Sequence, residues 1–355
     1  MLRSDSRSVR RPLRPVVVAG LLATLLAAPV TSAGASSKAA AKPAIASRYG
    51  FSDPTSAAVT GNALFVANRG NNSVTELNAG SGAFVARLNS SAYHFSSPSA
   101  TLAVGYLVFV ANYAGNSVTE FSATNRGLIR VIPGLTSRIY RPIGLASTNG
   151  DLFVLNAGGS VAEFAIATGA FIALVAGPSY HFNRPSAITT TANEVFVTNA
   201  GANSVTMFSA LTRRLTHLLY GAAYQFNHPM GATAHLADVW FANQSGNSIT
   251  EVNAVTGSVI GVAQDTYNLP SPGPLTYGDG YVFAASPPGS SPMVTQLVGT
   301  TRSLPWMMCN GNGSYNFSNP QALVVYGPNL WVVNAGNNSL TEMNAASGMW
   351  PRDFT

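Results

Sequence analysis

Cysteine is all but missing from this sequence: Cys309 is the only one in 355 residues, so no intramolecular disulfide can form. Charge is scarce as well. Asp, Glu, Lys and Arg together make up 9% of the chain, which excludes a charge-solvated disordered protein. No long apolar run is present either; the longest, Val16 to Val30, contains Pro29 and falls short of the ~20 residues that cross a bilayer. Extended stripes of 3.6-residue period are absent, which excludes a helical solenoid. In their place stand 33 glycines, 21 prolines and 10% aromatic residues, the composition of short strands and many turns.

The N-terminus reads as an export signal. Arg3, Arg7, Arg10, Arg11 and Arg14 precede the apolar stretch, and Thr31-Ser32-Ala33 supplies the small residues of a cleavage site. The expected organisation is a signal peptide over 1–33, a linker over 34–47 and one domain over 48–355, secreted or associated with the cell envelope. Arg10-Arg11-Pro12-Leu13 also resembles a twin-arginine signal, so the export route stays open between the two systems. Cleavage leaves fourteen basic and twelve acidic residues, a net charge of +2. The high isoelectric point therefore belongs largely to the discarded segment, no basic cluster for nucleic acid remains, and no membrane span is expected in the mature chain.

Aligned with itself, the mature sequence gives seven copies of one pattern. Pro54, Pro98, Pro142, Pro185, Pro229, Pro272 and Pro320 are each followed fourteen residues later by Asn68, Asn112, Asn156, Asn199, Asn243, Ser286 and Asn334. The period runs 44, 44, 43, 44, 43 and 48 residues. In the first copy four strands are predicted, near 56–60, 64–68, 73–78 and 84–88, separated by Gly- and Asn-rich turns. Four strands per ~40–50-residue repeat is the arithmetic of a propeller blade, so the fold class is all-β, a seven-bladed β-propeller of four-stranded antiparallel blades. The chain starts in the middle of the pattern at Tyr49, and residues 349–355 are expected to complete blade 7 as its outer strand; the alternative gives that place to 34–47.

The segments FVANRGNNSVTELNAGSG and VFVTNAGANSVTMFSALT resemble the YVTN repeat, and the Pro-led entry to each copy resembles the related NHL repeat. The resemblance covers residues 48–355 and implies the propeller fold; such blades serve surface proteins, binding modules and some enzymes. Blade 5, with His228-Pro229-Met230-Gly231 and Val239-Trp240-Phe241, is also similar to streptogramin B lyases. That resemblance implies a His and Glu site with magnesium on one face, for which His228 is the only counterpart here.

The repeated Asn residues and the repeated Glu76, Glu120, Glu163, Glu251 and Glu342 are expected to be structural, the glutamates paired within the sheets. The innermost strands, which line a propeller's channel, contain no carboxylate, so neither a calcium nor a zinc site is expected, and no cofactor. His235 stands alone among them. Cys309, with Trp306, Met307 and Met308, is assigned to an insertion packed over blade 6. The residues before each anchor proline, Asp53, Ser97, Arg141, Arg184, His228, Ser271 and Asn319, should ring one face. Arg141, Arg184 and His228 fall in consecutive blades and form a basic arc suited to an acidic glycan or carboxylate-bearing peptide, with Tyr113 as a stacking surface. The expected role is a non-catalytic binding or surface-interaction module; a lyase- or lactonase-like hydrolase at the channel face is the alternative.

Overall fold

The computed structural model describes residues 48–355 apart from 267, 287–291 and 310–314, so the expected signal peptide and linker lie outside the described residues. Twenty-eight strands form seven antiparallel sheets of four, each contributed by one copy of the repeat, closed into a seven-bladed propeller. In blade 1 the strands are Pro54–Thr60, Ala63–Asn68, Ser73–Asn78 and Phe84–Leu88, from the channel outward. The second and third strands of each blade are covered on both faces by neighbouring blades. Their residues are therefore continuously apolar rather than alternating, as in Leu64-Phe65-Val66-Ala67, all fully buried. One apolar cluster fills each junction between adjacent blades, and the seven clusters replace a single core.

The repeated asparagines are buried cross-links. Asn112 Nδ2 donates to Ser117 Oγ at 3.1 Å and Thr119 Oγ1 at 2.9 Å, and Thr119 Oγ1 donates to the Tyr93 carbonyl at 2.6 Å. The same triad recurs around Asn68, Asn199 and Asn243. Each satisfies polar groups that would otherwise be buried without partners.

The repeated glutamates follow a single rule. Each sits at the same third-strand position and takes one arginine, which comes from one of two places. Glu76, Glu163 and Glu251 pair with Arg126, Arg213 and Arg302, which project from the next blade's turn between third and fourth strands. Where that turn residue is instead a glycine, Gly169 or Gly82, the partner is Arg130 or Arg352 on the glutamate's own fourth strand. The fourth-strand residue opposite the glutamate obeys the same logic. It is Ala86, Ala173 or Gly261 where a guanidinium arrives from the neighbour, and the arginine itself elsewhere. A Cβ on Gly261 would collide with the Arg302 side chain, which explains the small residue. The glutamates are thus mostly paired between blades, not only within their own sheet as the sequence suggested.

Residues 349–355 do close the ring. Arg352–Phe354 pairs antiparallel with Leu340–Glu342 as the outer strand of blade 7. Across the seam Trp331 Nε1 donates to the Ala79 carbonyl at 3.2 Å, Asn338 Oδ1 accepts from the Asp53 amide at 2.6 Å, and Tyr49 packs edge-on to Phe354. One expectation for copy six needs correction. Trp306–Cys309 is not an insertion over blade 6 but its outer strand, pairing with 293–296, because the third strand would otherwise present an unpaired edge. The inner strand of blade 6 runs Leu275–Gly278, shorter than its counterparts.

Candidate functional site

The face on which the chain enters each inner strand is built from two rings of residues. The first consists of the seven residues before the anchor prolines, and all seven adopt left-handed backbone, with φ between 47° and 55°. Hydrogen bonds over-determine that unusual conformation. Ser97, Arg141, His228 and Ser271 each donate their amide at 2.7 Å to Oδ1 of an asparagine in the preceding blade, Asn72, Asn116, Asn203 and Asn247. Their carbonyls, except at Ser271, accept from the first residue of their own blade's loop between second and third strands, as in Tyr113 to Ser97 at 3.0 Å and Gln244 to His228 at 3.1 Å. Those loop residues, Arg69, Tyr113, Ala157, Ala200, Gln244 and Ala335, form the second ring.

Together the rings frame the mouth of a central cavity of about 980 Å³. Its shaft is lined by the inner strands, among them Thr55, Ser99, Ile143, Leu145, Ser186, Met230, Leu275 and Gln321, and among the described residues the basic side chains lining it are Arg69, Arg184 and His228 at the mouth, with Tyr113 beside them. Arg69 is neutralised, its Nε lying 2.6 Å from Asp53 Oδ2. Arg184 has no carboxylate within 4 Å among the described residues, because the ring position beside it is Ala200. His228 Nδ1 lies 3.1 Å from Gln244 Oε1, a contact that holds the imidazole ring at the mouth. The net charge at the mouth is therefore positive and comes from Arg184 on blade 4.

Of the residues singled out by sequence, Tyr113, Arg184 and His228 line the mouth. Arg141 does not. Its guanidinium lies over the rings of Tyr113 at 5.9 Å and Tyr140 at 5.5 Å, so it reaches the mouth through Tyr113 rather than directly. Like Arg184 it sits beside an alanine, Ala157, and has no carboxylate within 4 Å among the described residues. Sequence reasoning missed Arg69 and Gln244. The signal was available, for each stands sixteen residues after the rim residue of its own copy and one after the repeated Asn. His235 lies apart from the mouth, at the far end of its strand, stacked on Tyr277 with ring centroids 4.0 Å apart. Among the described residues no group of three or more His, Cys, Asp or Glu is placed to hold a metal ion. No helix among them is long and apolar enough to cross a membrane.

No protein-family model matches the chain, and no curated protein sequence does. Solved structures do resemble it. The computationally designed Ika8 protein aligns with a TM-score of 0.61 at 15% identity, over 85% of this chain and 86% of its own. Kuenenia stuttgartiensis hydrazine synthase aligns at 0.65 and 13%, over 83% of this chain and 96% of that one. BamB from Moraxella catarrhalis gives 0.51 and 14%, over 80% of each. At such identities the likeness extends to the propeller fold alone.

Proposed function

We propose that this chain is a secreted, non-catalytic propeller of the YVTN/NHL repeat type that binds an anionic extracellular partner, such as an acidic glycan or a carboxylate-bearing peptide, at the mouth over blades 3 to 5. One observation carries the reading: Arg141 and Arg184 are held at the rim without a counter-charge, while the rim arginine on blade 1 has Asp53. A guanidinium presents parallel donors that match a carboxylate, and His228 adds a third donor when protonated. Among the described residues the shaft's lining holds no carboxylate, which favours the binding reading over a lyase or hydrolase. The test is binding of oligogalacturonates and glutamate-rich peptides, with neutral oligosaccharides and peptides as controls. Replacing Arg141, Arg184 and His228 together by Ser should weaken binding at least tenfold and flatten its salt dependence, with the urea midpoint almost unmoved. Unchanged binding by the triple variant at low salt would remove the site from blades 3 to 5.

A further inference from the structure

The shaft beneath the mouth has its own chemistry. Its side-chain hydroxyls are already committed to the ring: Thr55 Oγ1 donates to the Pro98 carbonyl at 2.9 Å, Ser99 Oγ to Pro142 at 2.7 Å and Ser186 Oγ to Pro229 at 2.6 Å. Ser56 Oγ is shared with the Thr101 hydroxyl and amide. Gln321 Nε2 is turned to Asn319 Oδ1 at 2.6 Å. The hydroxyl bonds tie the inner strand of blade 1 to that of blade 2, blade 2 to blade 3 and blade 4 to blade 5, and so engage many of the donors on the wall. The wall also carries an apolar arc, Ile143 and Leu145 from blade 3, Met230 from blade 5, Leu275 from blade 6 and Leu323 from blade 7. Met230 is half-buried and belongs to none of the seven interblade clusters, so its flexible thioether is free to adapt to what enters.

A positive mouth above a wall that carries an apolar arc among its Ser and Thr residues is complementary to a molecule with an anionic head and an apolar body. We propose that the ligand is an apolar-chain carboxylate, its head on Arg184 and His228 and its hydrocarbon body in the shaft. This rests on the anion-binding reading of the mouth and adds the nature of the rest of the ligand. The cavity is lined by the first four or so residues of the inner strands, as in Pro320–Leu323, a depth of roughly 13 Å that takes a short extended chain.

The experiment is calorimetric titration of the purified protein at low salt with butanoate, hexanoate, octanoate and octanol, each below its micellar concentration. Affinity should rise about three- to fourfold for each added methylene group, and octanol should bind more weakly than octanoate. Arg184→Gln should bring octanoate down to the level of octanol, whereas Met230→Ser, which spares the core clusters, should flatten the chain-length series and leave butanoate unchanged. A series without chain-length dependence, or octanol equal to octanoate, overturns the proposal. Binding of acidic oligosaccharides or peptides with no binding of any alkanoate also overturns it while leaving the anion-binding mouth intact, and failure of every anion to bind overturns both.

Discussion

The glutamate–arginine rule can be tested where blades 5 and 6 meet. Arg302 occupies a turn position at φ 57° and places Nη1 2.8 Å from Glu251 Oε2 of the preceding blade. The Glu251 side chain is 5% exposed and that of Arg302 is 32% exposed, so the carboxylate is far more dependent on the pair than the guanidinium is. Arg302→Gly removes the partner while giving the turn the residue its backbone favours. Stranding a buried charge costs about 3–5 kcal/mol, access of water through the exposed side of the pair lowers this, and relief of the left-handed backbone returns about 1 kcal/mol. The expected net loss at pH 7 is about 2 kcal/mol, or roughly 3 °C in melting temperature for a domain of this size.

The pH dependence of that loss follows from the carboxyl group. Burial pushes the Glu251 pKa above the ordinary carboxylate value; Arg302 pulls it back and Asp238 pushes it further up. A raised folded-state value favours folding below the unfolded pKa of about 4.3, and that contribution fades as the pH climbs through the folded value. Without Arg302 the folded value rises further, so the variant's deficit should be largest at neutral pH and shrink as the pH falls toward about 4. A compensating change is present in the chain itself. At the junction of blades 6 and 7 the glutamate is replaced by Gln296 and the turn arginine by Gly348, and Gln296 Nε2 donates to the Ala345 carbonyl at 3.0 Å. The double variant Glu251→Gln/Arg302→Gly copies that junction, with Gly299 supplying the carbonyl, and should recover at least half of the loss in urea unfolding. A single variant as stable as the parent, or a double variant less stable than the single one, would refute the rule.

Truncation after Gly348 removes Arg352–Phe354, strands the buried Glu342 and uncovers Trp331 at the seam. Aggregation or a large fall in melting temperature is expected, and a truncated protein as stable as the full chain would show that the ring closes without that strand. Gly82→Ala combines φ 71° with a Cβ that overlaps the Phe354 ring, and should cost about 3 kcal/mol or more in urea unfolding. Gly61→Ala, at φ 51° with open space around its Cβ, should cost about 1 kcal/mol, so equal losses would discount the Phe354 contact.

The fold was legible because every blade must solve the same problem. The Pro-to-Asn offset of fourteen residues spans an inner strand, a turn and a second strand, and pairing joins its two ends, Pro54 with Asn68 and Pro98 with Asn112. Conserving that offset across seven copies conserves the register. Copy six was misread where the pattern lapses. With Ser286 for Asn and a longer repeat, nothing in Trp306–Cys309 marks a fourth strand except the need of its neighbour for a hydrogen-bonding partner, which is a tertiary fact. The origin of the glutamates' partners was hidden for a related reason. Each pairs with a residue 50 or 51 positions away when the arginine is in the next blade, or 10 away when it is in its own, and no single spacing reports both.

The candidate site was half legible, and the reason lies in how its backbone is held. An asparagine of the preceding blade fixes the amide of a rim residue and the next loop fixes its carbonyl, so neither interaction consults the rim side chain. Asp, Ser, Arg, Arg, His, Ser and Asn can therefore occupy seven equivalent positions of left-handed backbone without altering the ring. Charge counting along that ring finds Arg141 and Arg184, but whether a charge is available depends on the residue sixteen positions on. Arg69 neutralises Asp53, Gln244 orients His228 and Ala200 leaves Arg184 open, whereas Arg141, beside Ala157, is drawn over the ring of Tyr113 from the preceding blade. Binding chemistry at this rim is thus set by the residue at i together with the loop residue at i+16 in its own blade and, at Arg141, with the loop residue of the preceding blade, on a scaffold held independently of those side chains. That separation makes Arg184 the rim residue whose replacement should change binding most and stability least.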